Sequence, residues 1–196
     1  MIEGLLLVLL VALLIWGIVI FNRLVRVRNL VRNGFADIDV QLQRRHDLVP
    51  QLVTAVRAYA NFERRVLEDV TALRSRAQTA EQSGEARAMA GAEVALAAAL
   101  GRLLVLAEDY PALRASENFQ QLTTQLVETE DLLSHARRFY NGAVRELNTR
   151  IQQFPDLLIA RPLGFSEASY FSADIETRAT PQVAELLQRH SRETAA

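Results

Sequence analysis

The sequence predicts an all-α protein, in which an N-terminal transmembrane helix continues into an antiparallel bundle of long helices. Three observations lead to this fold class. The chain carries near its N-terminus an uncharged apolar run, "GLLLVLLVALLIWGIVIF" at residues 4–21. After this run, apolar residues recur at steps of three, four and seven, which places them on one face of a helix. Apolar residues make up 50% of the chain, with only 8 glycines in 196 residues, and no alternating pattern predicts strands.

Residues 1–24 are predicted to be a membrane anchor, because the apolar run is about long enough to cross the hydrocarbon core of a bilayer. Trp16, Phe21 and Arg23 suit its interface, where an aromatic ring or a long basic side chain places its polar part among the headgroups. A cleaved signal peptide is the alternative. It needs a basic leader and a small-x-small cleavage site, and the sequence shows neither. An uncleaved anchor is therefore favoured.

Basic residues follow the apolar run and none precedes it in this sequence. They are Arg23, Arg26, Arg28 and Arg32. The positive-inside rule places this side of the anchor in the cytoplasm. We therefore expect a single-pass protein of the cell inner (cytoplasmic) membrane, with its N-terminus outside and a cytoplasmic helical domain at residues 25–173. The same side chains can attract anionic headgroups, but the favoured interpretation is that the cluster is only a topology signal. Membrane lipid is an expected partner of the anchored protein.

The first long helix is predicted to run from residue 24 to the break "AQTAEQSGEA", where Gly84 suits a turn. Pro50 stands inside it and predicts a kink, because a mid-helix proline removes one backbone hydrogen bond at a cost of about 3 kcal/mol. The carbonyl near residue 46 then needs water or a side chain as its partner. One bent helix is favoured over two helices separated at Pro50, because no glycine or asparagine flanks the proline.

The second helix is predicted over about residues 85–107 and is rich in alanine. Arg87, Glu93 and Arg102 argue against a second membrane span, because each is costly in lipid. Pro111 disfavours helical geometry just before it and ends the helix.

The third helix is predicted to begin after Ser116, a suitable N-cap, and to end before Pro155. Its apolar residues form nearly a heptad seam, so it is expected to bundle or form a coiled coil with its neighbours. The following segment, residues 156–174, carries several aromatic residues and is predicted to be an ordered cap that packs back on the bundle. Residues 174–196 are predicted to be a C-terminal tail with a possible short helix at residues 182–190.

Composition and motifs argue against an enzyme. The chain has no cysteine, which removes disulfides, thiol catalysis and cysteine-bound metals, and its net charge of −1 gives no basis for binding nucleic acid. Glycine loops for phosphate, nucleophile elbows and Glu-x-x-His repeats are missing from the sequence. Asp131 and His135 share a helix face but have no second carboxylate–histidine pair. We therefore predict no catalytic residue, metal or cofactor.

Three polar residues are candidates for contacts between helices: His46, Asp47 and Asn141. His46 and Asp47 are adjacent, so their side chains point about 100° apart on a helix and cannot jointly hold one ion. Asn141 follows Tyr140, which falls on the apolar stripe and is predicted to be a core residue. Asn141 is then expected to form a hydrogen bond with a neighbouring helix.

Several segments together resemble the LemA family of bacterial membrane-anchored proteins. They are "RRHDLVPQLVTAVRAYANFE" (44–63), "LAEDYPALRASENFQQL" (106–122), "TEDLLSHARRFYNGAVRELN" (129–148), "FP" (154–155), and the pairs "GF" (164–165) and "YF" (170–171). The resemblance covers about residues 1–173. It implies one transmembrane helix and a long helical bundle whose first helix contains the proline. Most members have no assigned biochemical activity, and some magnetosome membrane proteins carry a similar domain, which implies a scaffold or membrane-organising role.

The expected function is therefore a non-catalytic scaffold, which presents a cytoplasmic helical bundle to a protein partner or to a second copy of itself. The sequence does not name the protein partner. The alternative is a ligand- or metal-dependent sensor, or a hydrolase component, with a site between helices.

Overall fold

The computed structural model describes residues 1–58 and 63–171, and it confirms the all-α fold. These residues form six helices and no strand. The helices are α1 (Ile2–Arg57), α2 (Arg64–Ser83), α3 (Ala86–Ala107), α4 (Pro111–Arg114), α5 (Glu117–Gln152) and α6 (Leu157–Ala160). The predicted tail at 174–196, with its possible short helix at 182–190, lies outside the described residues.

Helix α1 has 56 residues, so it is about 84 Å long at 1.5 Å per residue. Its N-terminal part is apolar and exposed, and its packing begins near Ile20, inside the predicted anchor. Both α1 and α3 are long and apolar enough to cross a membrane. In the most apolar 18-residue window of each helix, 6% of the residues of α1 are buried in the protein, against 39% of those of α3. The apolar window of α1 has almost no protein around it, which is the arrangement of a membrane anchor.

Helix α5 runs antiparallel to α1, with Gly34 opposite Tyr140 and Arg45 opposite Glu130. Helices α2 and α3 form a hairpin that packs on the C-terminal half of α1. The turn of this hairpin is at Gly84, which ends α2 with φ of 69° and so occupies the left-handed region that favours glycine. The predicted break at this glycine is confirmed.

Helix α1 continues through Pro50, so the alternative of two helices separated at this proline is wrong. The carbonyl of His46, which loses its helical partner to the proline, accepts a hydrogen bond from Nε of Arg74 at 2.7 Å. A side chain of α2 therefore completes the backbone of α1. A bend at Pro50 stays a prediction.

The predicted extent of the first helix is wrong, because it ends at Arg57 and α2 begins at Arg64. Helix α2 packs against α1, so Leu67 and Val70 belong to a core that also contains Val56. A single straight helix would carry these side chains away from that core. The apolar stripe keeps its helical phase from α1 into α2, so periodicity alone does not reveal that the two helices are separate.

The start of the third helix is confirmed, since the side chain of Ser116 accepts a hydrogen bond from the Phe119 amide at 3.5 Å. The second helix also lies where the sequence predicted it, at Ala86–Ala107. The predicted cap packs back on the bundle, as Phe165 and Phe171 are 7% and 5% exposed.

Buried apolar side chains form two separate cores along the bundle. The proximal core, nearer the anchor, takes residues 20–42 of α1 together with the start of α3, the second half of α5 and the cap. The distal core takes residues 48–56 of α1 with α2, most of α3, α4 and the start of α5. The gap between the two cores is filled by polar side chains.

Candidate functional site

A buried polar layer separates the two cores. It consists of Arg45 and His46 from α1, Glu93 from α3 and Thr129 from α5, each no more than 1% exposed. In all three helices these residues fall between the members of the proximal and distal cores. The layer therefore crosses the whole bundle at one level. Buried charge is costly unless it is paired, so its contacts decide what the layer can do.

Glu93 is the centre of the layer. Nη1 of Arg45 donates to Oε2 of Glu93 at 2.6 Å, and Nε2 of His46 lies 2.7 Å from Oε1. Arg45 also pairs with Glu130 of α5. Nδ1 of His46 lies 3.3 Å from Oε2 of Glu81 on α2, so each ring nitrogen faces a carboxylate. Four helices are thus joined through two neighbouring side chains of α1.

The pKa values follow from burial and pairing. Burial acts to raise the pKa of Glu93, but the hydrogen bond with His46 and the charge of Arg45 outweigh it and lower that pKa. Burial lowers the pKa of Arg45, and Glu93 partly offsets this. Burial and then the charge of Glu81 raise the pKa of Asp39, which precedes the layer on α1. Glu93 is therefore ionised at neutral pH in the folded protein.

The chemistry of the layer is that of a structural ion network. Arg74 and Arg137 lie around it, and the charge of Arg45 lowers the pKa of Arg137 after the larger effect of burial. Arginine cations on several sides disfavour a bound metal cation. Within residues 1–58 and 63–171, no group of three or more histidine, aspartate or glutamate side chains is arranged to hold a metal ion.

Two asparagine side chains of α5 hold residues 165–171, the segment after α6, which we call the strap. Nδ2 of Asn141 donates to the carbonyl of Phe171 at 3.2 Å, and the Phe171 amide donates back to Oδ1 at 2.9 Å. Asn148 forms the same pair of bonds with Ala168, at 3.0 and 2.9 Å. The two asparagines are seven residues apart, so they lie on one face of α5 and clamp the strap at two points.

Helices α1 and α5 also share an exposed apolar patch. Val40, Leu132 and Phe139 are 63%, 44% and 49% exposed, and they line a shallow depression of about 340 Å³ together with Asp37, Gln41, His135 and Ala136. We call Val40, Leu132, His135, Ala136 and Phe139 the α1–α5 patch. Its side chains come from both helices, so the packing of α1 on α5 fixes their relative positions.

The residues predicted from the sequence are distributed over these features. His46 lies in the polar layer between helices. Asp47 is exposed, and its carboxylate accepts a hydrogen bond from Nε2 of Gln43 in the same helix at 2.9 Å. Its contact with another helix stays a prediction. Asn141 binds the strap instead of a neighbouring helix, and Tyr140 is 4% exposed in the proximal core.

Of the four juxtamembrane arginines, Arg23, Arg26 and Arg32 are exposed. Arg28 lies over the ring of Phe165, with its guanidinium carbon 4.9 Å from the ring centroid, and so contacts the cap by a cation–π interaction.

Sequence reasoning missed the roles of Arg45, Glu93, Glu130 and Asn148. Glu93 carried a signal, because an acidic residue within an alanine-rich apolar helix needs a buried partner. Asn148 carried another, as it repeats Asn141 after two helical turns. The sequence gives no signal for the buried role of Arg45, because it follows Arg44 in a polar segment where basic side chains are expected to be exposed to solvent.

The long helices, the two cores and the exposed apolar end of α1 define a class: a membrane-associated, all-α bundle protein. The sequence model of the LemA family matches residues 34–184, more than half of the chain, and the chain belongs to this family.

Several known proteins are similar to parts of the chain. "Protein LemA" of Metamycoplasma hominis is 25% identical over 165 residues, which cover 84% of this chain and 74% of that protein. "Magnetosome protein MamQ 2" of Paramagnetospirillum magneticum is 35% identical over 88 residues, and "Magnetosome protein MamQ" of Magnetospirillum gryphiswaldense is 31% identical over the same length. These two matches cover 45% of this chain and 32% of each magnetosome protein, so they relate one segment of each.

Proposed function

We propose that this protein is a non-catalytic membrane scaffold, which holds a rigid helical bundle close to the membrane and assembles with a second copy of itself through the α1–α5 patch. The observation that carries the proposal is the patch. Three large apolar side chains from two packed helices are exposed together, and such clusters on a folded surface mark interaction sites. The name of the magnetosome relatives assigns them to a cellular structure and not to a reaction, which is consistent with a scaffold.

The membrane favours a second copy as the occupant of the patch. Two anchored copies share one orientation, and Val40 lies 19 residues beyond Phe21 on the continuous helix α1, or about 28 Å along it. The patch is therefore at the same height in every copy. Two patches can meet across a two-fold axis perpendicular to the membrane, in the self-complementary contact that is commonest among homo-oligomers.

Disulfide crosslinking in membranes tests this assembly directly, because the chain contains no cysteine. Leu132→Cys places a single thiol in the patch of the full-length protein in proteoliposomes. Under mild oxidation we expect a disulfide dimer to form several times faster than with Val94→Cys, an exposed position on α3 that is 53% exposed. Adding Phe139→Ser to Leu132→Cys should slow the reaction to the rate of the control.

Equal rates for Leu132→Cys and Val94→Cys would overturn self-assembly through this face. A monomeric mass in nanodiscs at the same surface density would overturn self-assembly through any face. If crosslinking traps a different protein from native membranes in place of a dimer, the patch binds a protein partner and the choice of a second copy is wrong.

We also propose that the bundle is cytoplasmic and that the anchor lies in the inner membrane with its N-terminus outside. This proposal is supported by the four arginines that follow the apolar run, whereas the residues before the run in this sequence include no basic side chain.

The alternative function is a ligand- or metal-dependent sensor, or a hydrolase component, with a site between helices. The polar layer is a buried polar site between helices, and its arginines disfavour a metal cation. Elemental analysis of the purified full-length protein tests this alternative. We expect no stoichiometric zinc, iron or manganese, whereas about one metal per chain, lost on replacing His46, would favour the alternative over the scaffold.

A further inference from the structure

Residues 154–165, which we call the cap loop, pack beside the end of the membrane anchor. A Cβ atom built on Gly17 would lie 3.6 Å from Cδ1 of Ile159, and the rings of Phe21 and Phe165 meet edge to face with centroids 6.0 Å apart. Gly17 and Phe21 both belong to the apolar run that is expected to cross the bilayer. The cap loop is therefore held at the level where α1 leaves the membrane.

The outer surface of the cap loop carries three large apolar side chains beside the exposed Arg161. Phe154, Leu158 and Leu163 are 72%, 59% and 55% exposed, although the inner side chains of the same loop, such as Ala160 and Phe165, are buried. Short segments in water rarely expose three large apolar side chains so close together. Their exposure beside an apolar anchor is explained if lipid covers them.

From residue 157 onward, the backbone N–H groups of the cap loop are suited to a medium without water. Every backbone N–H from residue 157 to residue 165 donates to a carbonyl of the same segment or of the last residues before it, and Pro162 has no N–H to satisfy. An unsatisfied amide costs several kcal/mol in the bilayer core, so irregular backbone at this depth must satisfy itself. The acidic side chain of Asp156 is paired with Nη1 of Arg150 at 3.2 Å.

We propose that the cap loop is a second membrane contact, in which Phe154, Leu158 and Leu163 insert into the interfacial layer of the leaflet from which α1 emerges. The depth is consistent with this contact. Gly17 precedes Phe21 by four residues, or about 6 Å along α1, and interfacial segments insert about 5–10 Å below the headgroups.

A second contact changes what the anchor can do. A single transmembrane helix is free to tilt and to rotate about its own axis, and packing or interfacial anchors remove that freedom. With the cap loop in the interface, the side of α1 that packs against the cap loop always faces the membrane surface. The direction in which the bundle and the α1–α5 patch point is then fixed relative to the bilayer. This inference depends on membrane anchoring and not on self-assembly.

Depth-dependent tryptophan quenching tests the contact. The full chain has one tryptophan, Trp16, so Trp16→Phe gives a background free of this fluorophore. In that background, Leu158→Trp is reconstituted into phosphatidylcholine vesicles that carry bromine at a shallow or a deep position of the acyl chains. We expect blue-shifted emission and at least twofold quenching, stronger with the shallow bromines than with the deep ones.

Val127→Trp in the same background is the matched control. Val127 is 52% exposed on α5, the helix that leads into the cap loop, but it lies 27 residues, or about 40 Å, before Phe154. We expect its emission to be unaffected by bromines at either depth. Circular dichroism establishes that each variant keeps its helix content.

Leu158→Trp emission that is red-shifted and insensitive to bromine would overturn the proposal. Emission that is blue-shifted but unquenched would also overturn it, because the cap loop would then be covered by protein and not by lipid. Wild-type Trp16 reports on the anchor separately. If Trp16 itself is not quenched, the membrane anchor fails together with the cap-loop contact, whereas quenching of Trp16 alone rejects only the cap-loop contact.

Discussion

At the scale of single residues, Glu93 has the largest consequence, because two side chains of α1, Arg45 and His46, pair with it in a buried layer. Removing one partner of a buried ion pair leaves the other charge without compensation, at a typical cost of about 3–5 kcal/mol. Hydrophobic residues of the same volume can stabilise such a layer equally well. The expected role of the charged layer is therefore to fix the axial register of the helices. Arg45 and His46 can reach Glu93, Glu130 and Glu81 together in one axial alignment of the helices.

Glu93→Gln is expected to lower the free energy of unfolding at pH 7 by about 3–5 kcal/mol. The pKa of Glu93 is lowered in the folded protein, so its contribution is complete above the ordinary carboxyl pKa of about 4.3 and is lost as the pH falls through the lower, folded value. The wild type should therefore lose its advantage over Glu93→Gln as the pH falls from the ordinary carboxyl pKa through the lower pKa of the folded protein. Urea unfolding of the full chain in detergent micelles, followed by circular dichroism, measures both.

Glu128→Gln is the control for this titration. Its carboxylate lies 3.9 Å from Arg44 with 59% of the side chain exposed, and such pairs contribute about 0–1 kcal/mol. Parallel pH curves for Glu93→Gln and the wild type would contradict the assigned pKa shift.

At the scale of elements, α1 stays continuous across Pro50 because α2 supplies the missing hydrogen bond. Arg74→Met should cost about 1.5–3 kcal/mol, the usual range for hydrogen bonds to charged groups. In the Pro50→Ala background the same change should cost less, because the alanine introduced there has an amide that can bond the His46 carbonyl. A double-mutant cycle measured by chemical unfolding gives this coupling.

Arg76 is exposed on the same helix, so Arg76→Met is the control and should leave the free energy of unfolding unchanged. If the effects of Arg74→Met and Pro50→Ala are additive, Arg74 stabilises the protein through some other contact.

The contact between α1 and α5 depends on Gly34. A Cβ there would lie 3.1 Å from Cα of Tyr140 and 3.0 Å from the ring of Phe139. The two helices approach this closely because residue 34 has no side chain. Gly34→Leu is expected to lower the free energy of unfolding by about 1–3 kcal/mol, the usual cost of overpacking. Gly91→Leu on α3, with nothing within 4 Å of its Cβ, should be neutral or stabilising by up to about 1 kcal/mol. Thermal unfolding of both variants checks this, and equal losses would contradict the close contact.

At the scale of the whole molecule, orientation decides which compartment the bundle occupies. A reporter fused after Ala196 should be active when it requires the cytoplasm and inactive when it requires export, since the arginines after the anchor retain their side of the chain inside. Replacing Arg23, Arg26, Arg28 and Arg32 with glutamine should produce a mixture of both orientations. Activity of an export-dependent reporter on the unmodified protein would reverse the proposed topology.

The sequence by itself determined the all-α class, the apolar anchor, the ends of α3 and the N-cap of α5, because each depends on periodicity, hydropathy or one capping residue. These are properties of short sequence segments, and they do not depend on which parts of the chain meet in the fold. The tertiary structure decided where α1 stops, because the apolar stripe keeps its helical phase from α1 into α2. It also decided the partners of Arg45, His46, Asn141 and Asn148. Pairing across 20 to 85 residues depends on which helix faces meet, and that is set by the packing of two cores around one buried layer of charge.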